Sequence, residues 1–280
     1  MKKDDKINLV KYWRYMLLGY MMLAWIIFVF VLKMTEWVLI PCLLLYLLIS
    51  CVVARGYVAG MIGNIYYFFK KPKIAAVFYK AAAKMNTINT KALYNHALNL
   101  LYQGNPEDAL TLFKRVQMFN TKVIYDKLIP LAISSCYWKI NDIDNAVSTL
   151  KNLMNKYSYV NPNTLTTLAY FYILKGDYSK GEELTKKALE DNADYAPAWD
   201  NLGQIYYLQS DYKKAREYFL KALKINKNMT ESLYYMGMIE KANGDKDSAL
   251  LYLNKCLEGN ISALSTIQKT DIEVAINNIK

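Results

Sequence analysis

The sequence predicts an all-α protein in which a transmembrane helical hairpin is followed by an α-solenoid of five to six helix-turn-helix repeats and a C-terminal capping helix. Three observations of the 280-residue chain lead to this fold class. Two long apolar runs without a charged residue lie near the N-terminus. Beyond residue 73, apolar residues recur at helical spacing without strand-like alternation, and a short turn pattern returns every 34 or 35 residues over its last four occurrences.

The two apolar runs, residues 15–32 and 37–54, contain eighteen residues each. As helices they would each measure about 27 Å, close to the roughly 30 Å hydrocarbon core of a bilayer. Buried core helices rarely lack charge on every face, and a signal peptide would have a shorter apolar region followed by a cleavage site. Residues 33–36 suit a tight turn between the runs. We therefore expect a tail over 1–12 and a two-helix transmembrane hairpin over 13–54.

Basic residues gather around this hairpin. Residues 1–73 carry ten Lys or Arg against three Asp or Glu, whereas residues 74–280 carry 25 against 21. In the loop between the runs, Lys33 is offset by Glu36. Because Lys and Arg collect at the cytoplasmic ends of membrane spans, we expect a multi-pass protein of the cell membrane with both termini and the repeat domain in the cytoplasm. A repeat domain facing outward is the alternative.

A turn of shared form divides the rest of the chain into helix pairs. Each turn starts with Gly, Asn or Ser and reaches a small residue five positions later; the starting residues are Gly104, Asn141, Gly176, Ser210 and Gly244. Gly and Asn tolerate the left-handed conformation that ends a helix, and an Asp or Asn that follows can cap the next helix. One such helix pair cannot bury its apolar face alone, so the pairs must stack on one another.

The unit at 196–229 has the most specific pattern. Its first helix contains Trp199, Leu202, Gly203 and Tyr206, and its second contains Ala215, Phe219 and Ala222. On these residues the chain resembles the tetratricopeptide-repeat family, whose period is 34 residues, although the proline usual near the end of the unit is missing. The resemblance implies further repeats at 90–123, 127–161, 162–195 and 230–263. The apolar residues within 264–280 predict a capping helix for the last exposed face. Whether 56–89 is a true repeat, continuous with the second membrane helix, stays open.

No arrangement of residues in this sequence points to catalysis. The only histidine, His96, falls at a packing position of its repeat, and the four cysteines form no CxxC pair. The chain has no Gly-rich phosphate loop, no HExxH and no GxSxG. We therefore expect no enzyme activity, no cofactor and no metal.

The family resemblance implies instead a concave groove that binds a protein or peptide partner. The positions that line this groove in the family are occupied here by Tyr94, Asn95, Trp138, Tyr170, Asn201, Gln204, Tyr207 and Tyr234. Aromatic residues dominate many binding hot spots, so we expect an extended or helical peptide with apolar anchors as the ligand. The alternative is that the high tyrosine content of the chain, 25 residues, fills these positions by chance.

The sequence therefore predicts a membrane-anchored interaction scaffold, tethered to lipid through two helices. One alternative is a permanent structural subunit of a membrane complex. Another is an RNA-binding solenoid that uses the basic residues Lys213, Lys214, Arg216, Lys221, Lys224 and Lys227. Because a solvated helix face explains these residues more simply, we do not expect nucleic-acid binding.

Overall fold

A computed structural model describes residues 16, 19–24, 26–27, 36–85, 89–119, 123–259, 261–262 and 264–279. Helices joined by short turns make up this part of the chain, which contains no strand. The chain divides into two compact units, residues 1–96 and 97–280. Half of the first predicted membrane run, 15–32, lies outside the described residues. The all-α repeat fold expected from the sequence is confirmed.

The described residues form fourteen named helices. They are α1 (Glu36–Val53), α2 (Arg55–Phe68), α3 (Pro72–Lys84), α4 (Thr90–Tyr102), α5 (Pro106–Phe119), α6 (Val123–Lys139), α7 (Ile143–Tyr157), α8 (Pro162–Leu174), α9 (Tyr178–Asp191), α10 (Ala196–Leu208), α11 (Tyr212–Ile225), α12 (Thr230–Ala242), α13 (Lys246–Glu258) and α14 (Lys269–Asn277). The pairs α8/α9, α10/α11 and α12/α13 each occupy one 34-residue period. The first helix of a pair is called the A helix here, and the second the B helix.

The turns inside the pairs are set by local chemistry. All five turn-starting residues named from the sequence adopt positive φ, with values between 63° and 82°. Two of them, Asn141 and Ser210, are not glycine. In the last four turns an Asp follows, and its carboxylate accepts the free backbone N–H three residues later, as Asp211 does from Lys214 at 3.1 Å. The left-handed residue and the cap together end one helix and begin the next.

Each pair is held together where a small residue of the A helix meets a large residue of the B helix. A Cβ atom added to Gly203 would lie 2.5 Å from the ring of Phe219, and one added to Gly237 would lie 2.6 Å from Leu253. Phe219 is fully buried, as is Ala215 one turn earlier on the same B helix. The two backbones can therefore approach closely only because the A helix has no side chain at this point.

The core of the second unit is a row of small clusters between neighbouring helices. Ala188 of α9 packs with Leu165 of α8 and Ala198 of α10. Farther along, Phe219 of α11 packs with Met236 of α12. Because each cluster draws only on adjacent helices, the unit has the one-dimensional packing of a solenoid.

In the first unit, α2 and α3 pack in the same manner. A Cβ atom on Gly63 would lie 2.6 Å from the ring of Tyr79, and Ala75 and Ala82 are fully buried beside that ring. The Tyr79 hydroxyl donates to Asn64 Oδ1 at 3.1 Å and accepts from Asn95 Nδ2 at 3.0 Å. Residues 55–84 thus form a helix pair with the close contact seen in the repeats.

The described residues contain no single helix that is both long enough and apolar enough to cross a membrane. The second predicted run, 37–54, does not continue straight into the repeats, since α1 ends at Val53 and α2 begins at Arg55. Leu44–Ser50 and Arg55–Phe68 reach the length and hydropathy of a span only as a pair bent by 86°. The transmembrane hairpin therefore stays a prediction.

The C-terminal capping helix is shorter than the sequence predicts. It begins at Lys269, whereas the prediction placed it at 264–280. The Ser262 carbonyl accepts the N–H of Ser265 at 2.8 Å, and the Asp271 carboxylate accepts the N–H of Gln268 at 2.7 Å, capping the new helix start. These serine and aspartate hydrogen bonds hold residues 264–268 in a turn that competes with helix.

We expect Gly203→Ala to destabilise the protein. Overpacking a filled core costs about 1–3 kcal/mol, which outweighs the roughly 0.5–1 kcal/mol that Ala ordinarily gains over Gly inside a helix. Thermal unfolding followed by circular dichroism should show a lower midpoint. In a Phe219→Leu background the same substitution should cost less, because the ring that meets the new methyl group is gone. A raised midpoint in the single variant would show that close approach at this crossing is not required.

Candidate functional site

Four consecutive A helices of the second unit, α6, α8, α10 and α12, share one surface, which we term the groove. The partly exposed side chains that define it are Trp138, Lys139, Tyr170, Tyr207, Glu231, Tyr234 and Tyr235, and the buried Asp200 lies among them. Besides burial, the charges of Glu231 and Asp200 raise the pKa of Tyr170, so side chains of three of the four helices lie near one another there. Lys139 of α6 interacts with the same Glu231.

Aromatic rings make up much of the groove. Trp138 meets Tyr170 edge-on, with ring centroids 5.6 Å apart. Tyr235 contacts Tyr207 at 4.7 Å and Tyr234 at 5.6 Å. Burial raises the pKa of Tyr170 to about 12 and also raises that of Tyr235, so both hydroxyls stay protonated at neutral pH. The rings therefore offer an apolar surface with neutral hydrogen-bonding groups.

A segment of the chain itself already lies in this groove. Residues 264–268, termed the C-terminal segment, are the last part of the connection between α13 and α14. Lys139 Nζ donates to the Ser265 carbonyl oxygen at 2.9 Å, and Ser265 Oγ donates to Glu231 Oε1 at 2.6 Å. The side chains of Tyr170 and Thr266 are hydrogen-bonded. Ser265, only 4% exposed, is thus held between the first and the last A helix of the groove.

The C-terminal segment is anchored at one end and engages polar groups at the other. Ile267 is buried with Leu233, Leu253 and Ile272 in the cluster that joins α12, α13 and α14. Ser265 Oγ also accepts the N–H of Ile267 at 3.1 Å, which stabilises the bend before this anchor. A cavity of about 460 Å³ extends from Thr266 between α8 and α10. The segment therefore fills part of the groove and leaves space beside it.

The groove contains a buried carboxyl group. Asp200, 3% exposed, accepts hydrogen bonds from Ser232 Oγ at 2.5 Å and from Gln204 Nε2 at 2.7 Å. Burial is the main reason that its pKa rises to about 7, and the negative charge of Glu231 is the second. Burial also lowers the pKa of Lys139, against the effect of Glu231. The groove thus has one carboxyl group that changes its charge near neutral pH.

Four of the eight predicted site residues, Trp138, Tyr170, Tyr207 and Tyr234, lie in the groove. Two others, Asn201 and Gln204, are 5% and 4% exposed and bind within the protein, so a role in partner binding stays a prediction for them. Asn201 Nδ2 donates to the Thr166 carbonyl at 2.9 Å and joins α10 to α8, while Gln204 holds Asp200. A single helix examined alone does not show that its neighbour covers these positions.

The remaining two predicted residues, Tyr94 and Asn95, belong to the first unit. Asn95 donates to Tyr79 there and supports the contact between α2, α3 and α4. Sequence reasoning also missed Lys139 and the C-terminal segment. The serines at 262 and 265, which interrupt a helical pattern, were the available signal, but the partners of Ser265 lie 34 and 126 residues away.

The basic residues proposed for RNA binding are partly engaged within the protein. Arg216 Nε donates to the buried Glu240 at 2.8 Å, and Lys214 pairs with Asp211 at 3.1 Å. The ammonium group of Lys221 lies 4.5 Å from the ring centre of Trp199. These contacts stabilise helix packing and reduce the charge available to a phosphate backbone.

Chemical reactivity is low in the described part of the chain. Burial raises the pKa of Cys136 and Cys256 to about 12, so neither is a reactive thiolate at neutral pH. No group of three or more His, Cys, Asp or Glu among the described residues is placed to hold a metal ion.

We expect Asp200→Asn to change how stability depends on pH. Because the folded protein keeps a proton on Asp200 that the unfolded chain loses above its ordinary pKa of 3.8, this group's contribution to stability is lost as pH rises toward 7. Asn carries no charge, so the stability of the variant relative to wild type should rise across that pH range by up to roughly 4 kcal/mol, the equivalent of about three pKa units. Thermal midpoints between pH 4 and pH 8 measure this difference.

Ser232→Ala gives a second test of the same group. The Ser232 hydroxyl lowers the pKa of Asp200. Removing this hydroxyl should therefore shift the pH range over which stability falls to higher pH. If Asp200→Asn and wild type keep a constant difference from pH 4 to pH 8, folding does not raise the pKa of Asp200.

Comparison with known proteins agrees with this architecture. A family model described as "Tetratricopeptide repeat protein 21 C-terminal ARM domain" matches residues 77–236, and one described as "Tetratricopeptide repeat" matches 231–258. No curated protein matches the chain.

Solved structures with similar folds include a thermophilic TPR protein of Thermus thermophilus, with 20% identity, coverage of 68% of this chain and 98% of that chain, and a TM-score of 0.56. PilW, a type IV pilus biogenesis factor, has 15% identity, coverage of 72% and 91%, and a TM-score of 0.55. The APC/C hetero-tetramer Cut9–Hcn1 has 18% identity, coverage of 84% and 45%, and a TM-score of 0.58. These similarities show the fold alone. Because the first family model spans more than half of the chain, the protein belongs to the tetratricopeptide-repeat family.

Proposed function

We propose that the protein is a membrane-anchored scaffold whose groove binds an extended segment of a partner protein. The observation that carries this proposal is the C-terminal segment, which the groove holds through a main-chain carbonyl, a hydroxyl group and an adjoining buried isoleucine. Repeat solenoids of this family generally bind proteins and carry out no chemistry, and the residues that define the groove form no catalytic arrangement.

The contacts of the C-terminal segment indicate which ligand the groove prefers. Lys139 can donate to a main-chain carbonyl, Glu231 can accept from a hydroxyl or N–H group, and the rings of Trp138 and Tyr207 can receive an apolar side chain. An extended peptide with a serine or threonine next to an apolar residue satisfies these groups. Aromatic residues at such positions often supply most of the binding energy.

A partner that uses these groups must compete with the C-terminal segment. Because the segment is covalently attached, its effective concentration at the groove is high, typically millimolar for short connections. The partner therefore binds more weakly than it would to an open groove. This competition gives the scaffold an exchangeable site and distinguishes it from a permanent structural subunit.

Membrane anchoring is the second part of the proposal. Its support is the pair of charge-free runs with their basic flanks and the surface of α1, where Ile40, Leu44, Leu45 and Leu48 are exposed. Large exposed apolar surfaces mark contact with lipid or with another protein. The distribution of Lys and Arg favours a cytoplasmic position for the repeats.

We expect Trp138→Ala combined with Tyr207→Ala to lose the partner, because both rings belong to the groove. After crosslinking and purification from detergent-solubilised membranes, the partner found with wild type should be absent. Trp199→Ala with Tyr218→Ala is the matched control, since this stacked pair lies at 5.9 Å on α10 and α11 outside the groove. All variants are first checked for folding by circular dichroism.

Ser265→Ala should act in the opposite direction. It removes the hydrogen bond to Glu231, which is worth about 1 kcal/mol, so partner retention should rise several-fold. If wild type and the variant with Trp138→Ala and Tyr207→Ala retain the same partners, the groove is excluded as the binding surface. A partner retained by the groove variant but unaffected by Ser265→Ala would argue for another face of the solenoid.

The proposed topology predicts the activity of reporter fusions. Alkaline phosphatase fused after Lys280 should be inactive and a fluorescent protein at the same place should fluoresce, because the two reporters require opposite sides of the membrane. Phosphatase inserted after Met34, in the hairpin loop, is the matched control and should be active. Active phosphatase at the C-terminus would place the repeats outside the cytoplasm.

A further inference from the structure

Helix α2 has two faces of different chemistry. One face packs within the first unit through Gly56, Ala59, Gly60 and Gly63, all buried. The other face exposes four large residues, which we term the apolar stripe: Tyr57, Met61, Ile65 and Phe68. Their spacing of four, four and three residues places them along one side of a helix. Among the described residues, none covers this side of α2.

The end of the stripe is the most exposed part. Phe68 is 80% exposed, and its ring contacts the exposed ring of Phe69 edge-on at 5.6 Å. Two exposed aromatic rings at a helix end are unfavourable in water, because each leaves a large apolar area in contact with solvent. Such rings are common where one part of a surface enters the lipid interface.

Cations flank the stripe at both ends. Arg55 begins α2 and is exposed, and Lys70, Lys71 and Lys73 follow the two phenylalanines, all exposed. Lys70 adopts φ 56° and donates its N–H to the Tyr67 carbonyl at 3.0 Å, which closes the turn that bears these residues. An apolar face bordered by Lys and Arg matches the chemistry of an anionic membrane surface.

The bend before α2 supplies the orientation. The apolar helix before it, represented by Leu44–Ser50, meets Arg55–Phe68 at 86°. When the first of these enters a bilayer along its normal, the second lies in the membrane plane. In that position the apolar stripe can face the lipid while the glycine face remains packed against α3 and α4.

We propose that α2 lies in the plane of an anionic membrane surface, with the apolar stripe at the boundary between headgroups and acyl chains and Arg55, Lys70, Lys71 and Lys73 against the headgroups. The proposal rests on the proposed function only in placing the preceding helix in the same membrane. A second copy of the chain is a less suitable occupant, because a symmetric contact through the stripe would bring two identical sets of cations together.

The test places an environment-sensitive label on the stripe of the full chain. Cys42 and Cys51 are replaced by Ala, Ile65 is replaced by Cys, and the thiol is labelled with the fluorophore NBD. Cys136 and Cys256 are buried in the folded protein and stay unlabelled. The protein is reconstituted into vesicles of about three parts phosphatidylcholine to one part phosphatidylserine, an anionic surface.

We expect a blue-shifted emission that spin-labelled lipids quench. Because an interfacial helix lies about 5–10 Å deep, a spin label near the headgroup should quench more than one near the end of the acyl chain. A label at Met61→Cys should behave alike, so the result does not depend on one substitution. The matched control, Glu183→Cys on the exposed side of α9, should be neither shifted nor quenched.

The charged rim is tested separately. Lys70→Glu, Lys71→Glu and Lys73→Glu together should reduce quenching of the label at Ile65→Cys in anionic vesicles, whereas Lys213→Glu, Lys224→Glu and Lys227→Glu, on α11 and just beyond its end, should leave it unchanged. Equal quenching in the two triple variants would show that Lys70, Lys71 and Lys73 do not hold α2 against the headgroups.

Failure of this inference can be told apart from failure of membrane anchoring. If the label stays in water and the protein resists extraction at alkaline pH, α2 does not lie in the membrane plane. The membrane anchor is then still supported. A blue-shifted label that no spin-labelled lipid quenches also overturns the in-plane placement of α2 and points to cover by a second copy. A quenched label on protein that alkali removes supports the interfacial helix and contradicts the membrane spans.

Discussion

The close approach of two helix backbones at a glycine is the constraint on which the rest of the structure depends. The ring of Phe219 fills the space beside Gly203, so a side chain at position 203 would overlap it. Leu253 fills the space beside Gly237 in the same way. Because core side chains are packed as densely as in organic crystals, the position of one helix is then determined by its partner. Repetition of this crossing aligns the A helices in the second unit and so creates the groove.

Alignment of the A helices has a consequence for polar residues. A side chain on the flank of an A helix meets the neighbouring A helix, as Asn201 does when it donates to the carbonyl of Thr166. Buried amide and carboxyl groups must find such partners, since an unsatisfied one is costly. The buried carboxyl group of Asp200 satisfies this rule through Ser232 and Gln204, yet its burial still disfavours the charge. The groove therefore combines a rigid base with one group sensitive to pH.

The first unit uses the same crossing for another surface. Gly63 meets the ring of Tyr79, as a small residue meets a large one in the repeats, but the far side of α2 is apolar and bordered by cations. One helix thus combines repeat-like packing with a surface suited to lipid. If α2 lies on a membrane as proposed, the groove would meet membrane-bound partners at a raised local concentration.

The sequence by itself determined the local features: the all-α class, the turns that begin at Gly176 or Ser210, the Asp caps, and the small residues at the crossings. The turns and caps follow from interactions between residues a few positions apart, and the small residues at the crossings were visible because they recur with the 34-residue period. Only the tertiary structure decided that Asn201 is buried, that Lys139 belongs to the groove, and that Ser265 occupies it. The partners of Ser265 are 34 and 126 residues distant, and no local preference encodes a contact over such a separation. The physical reason is that burial is a property of the stacked helices together, whereas helix and turn formation is a property of each segment.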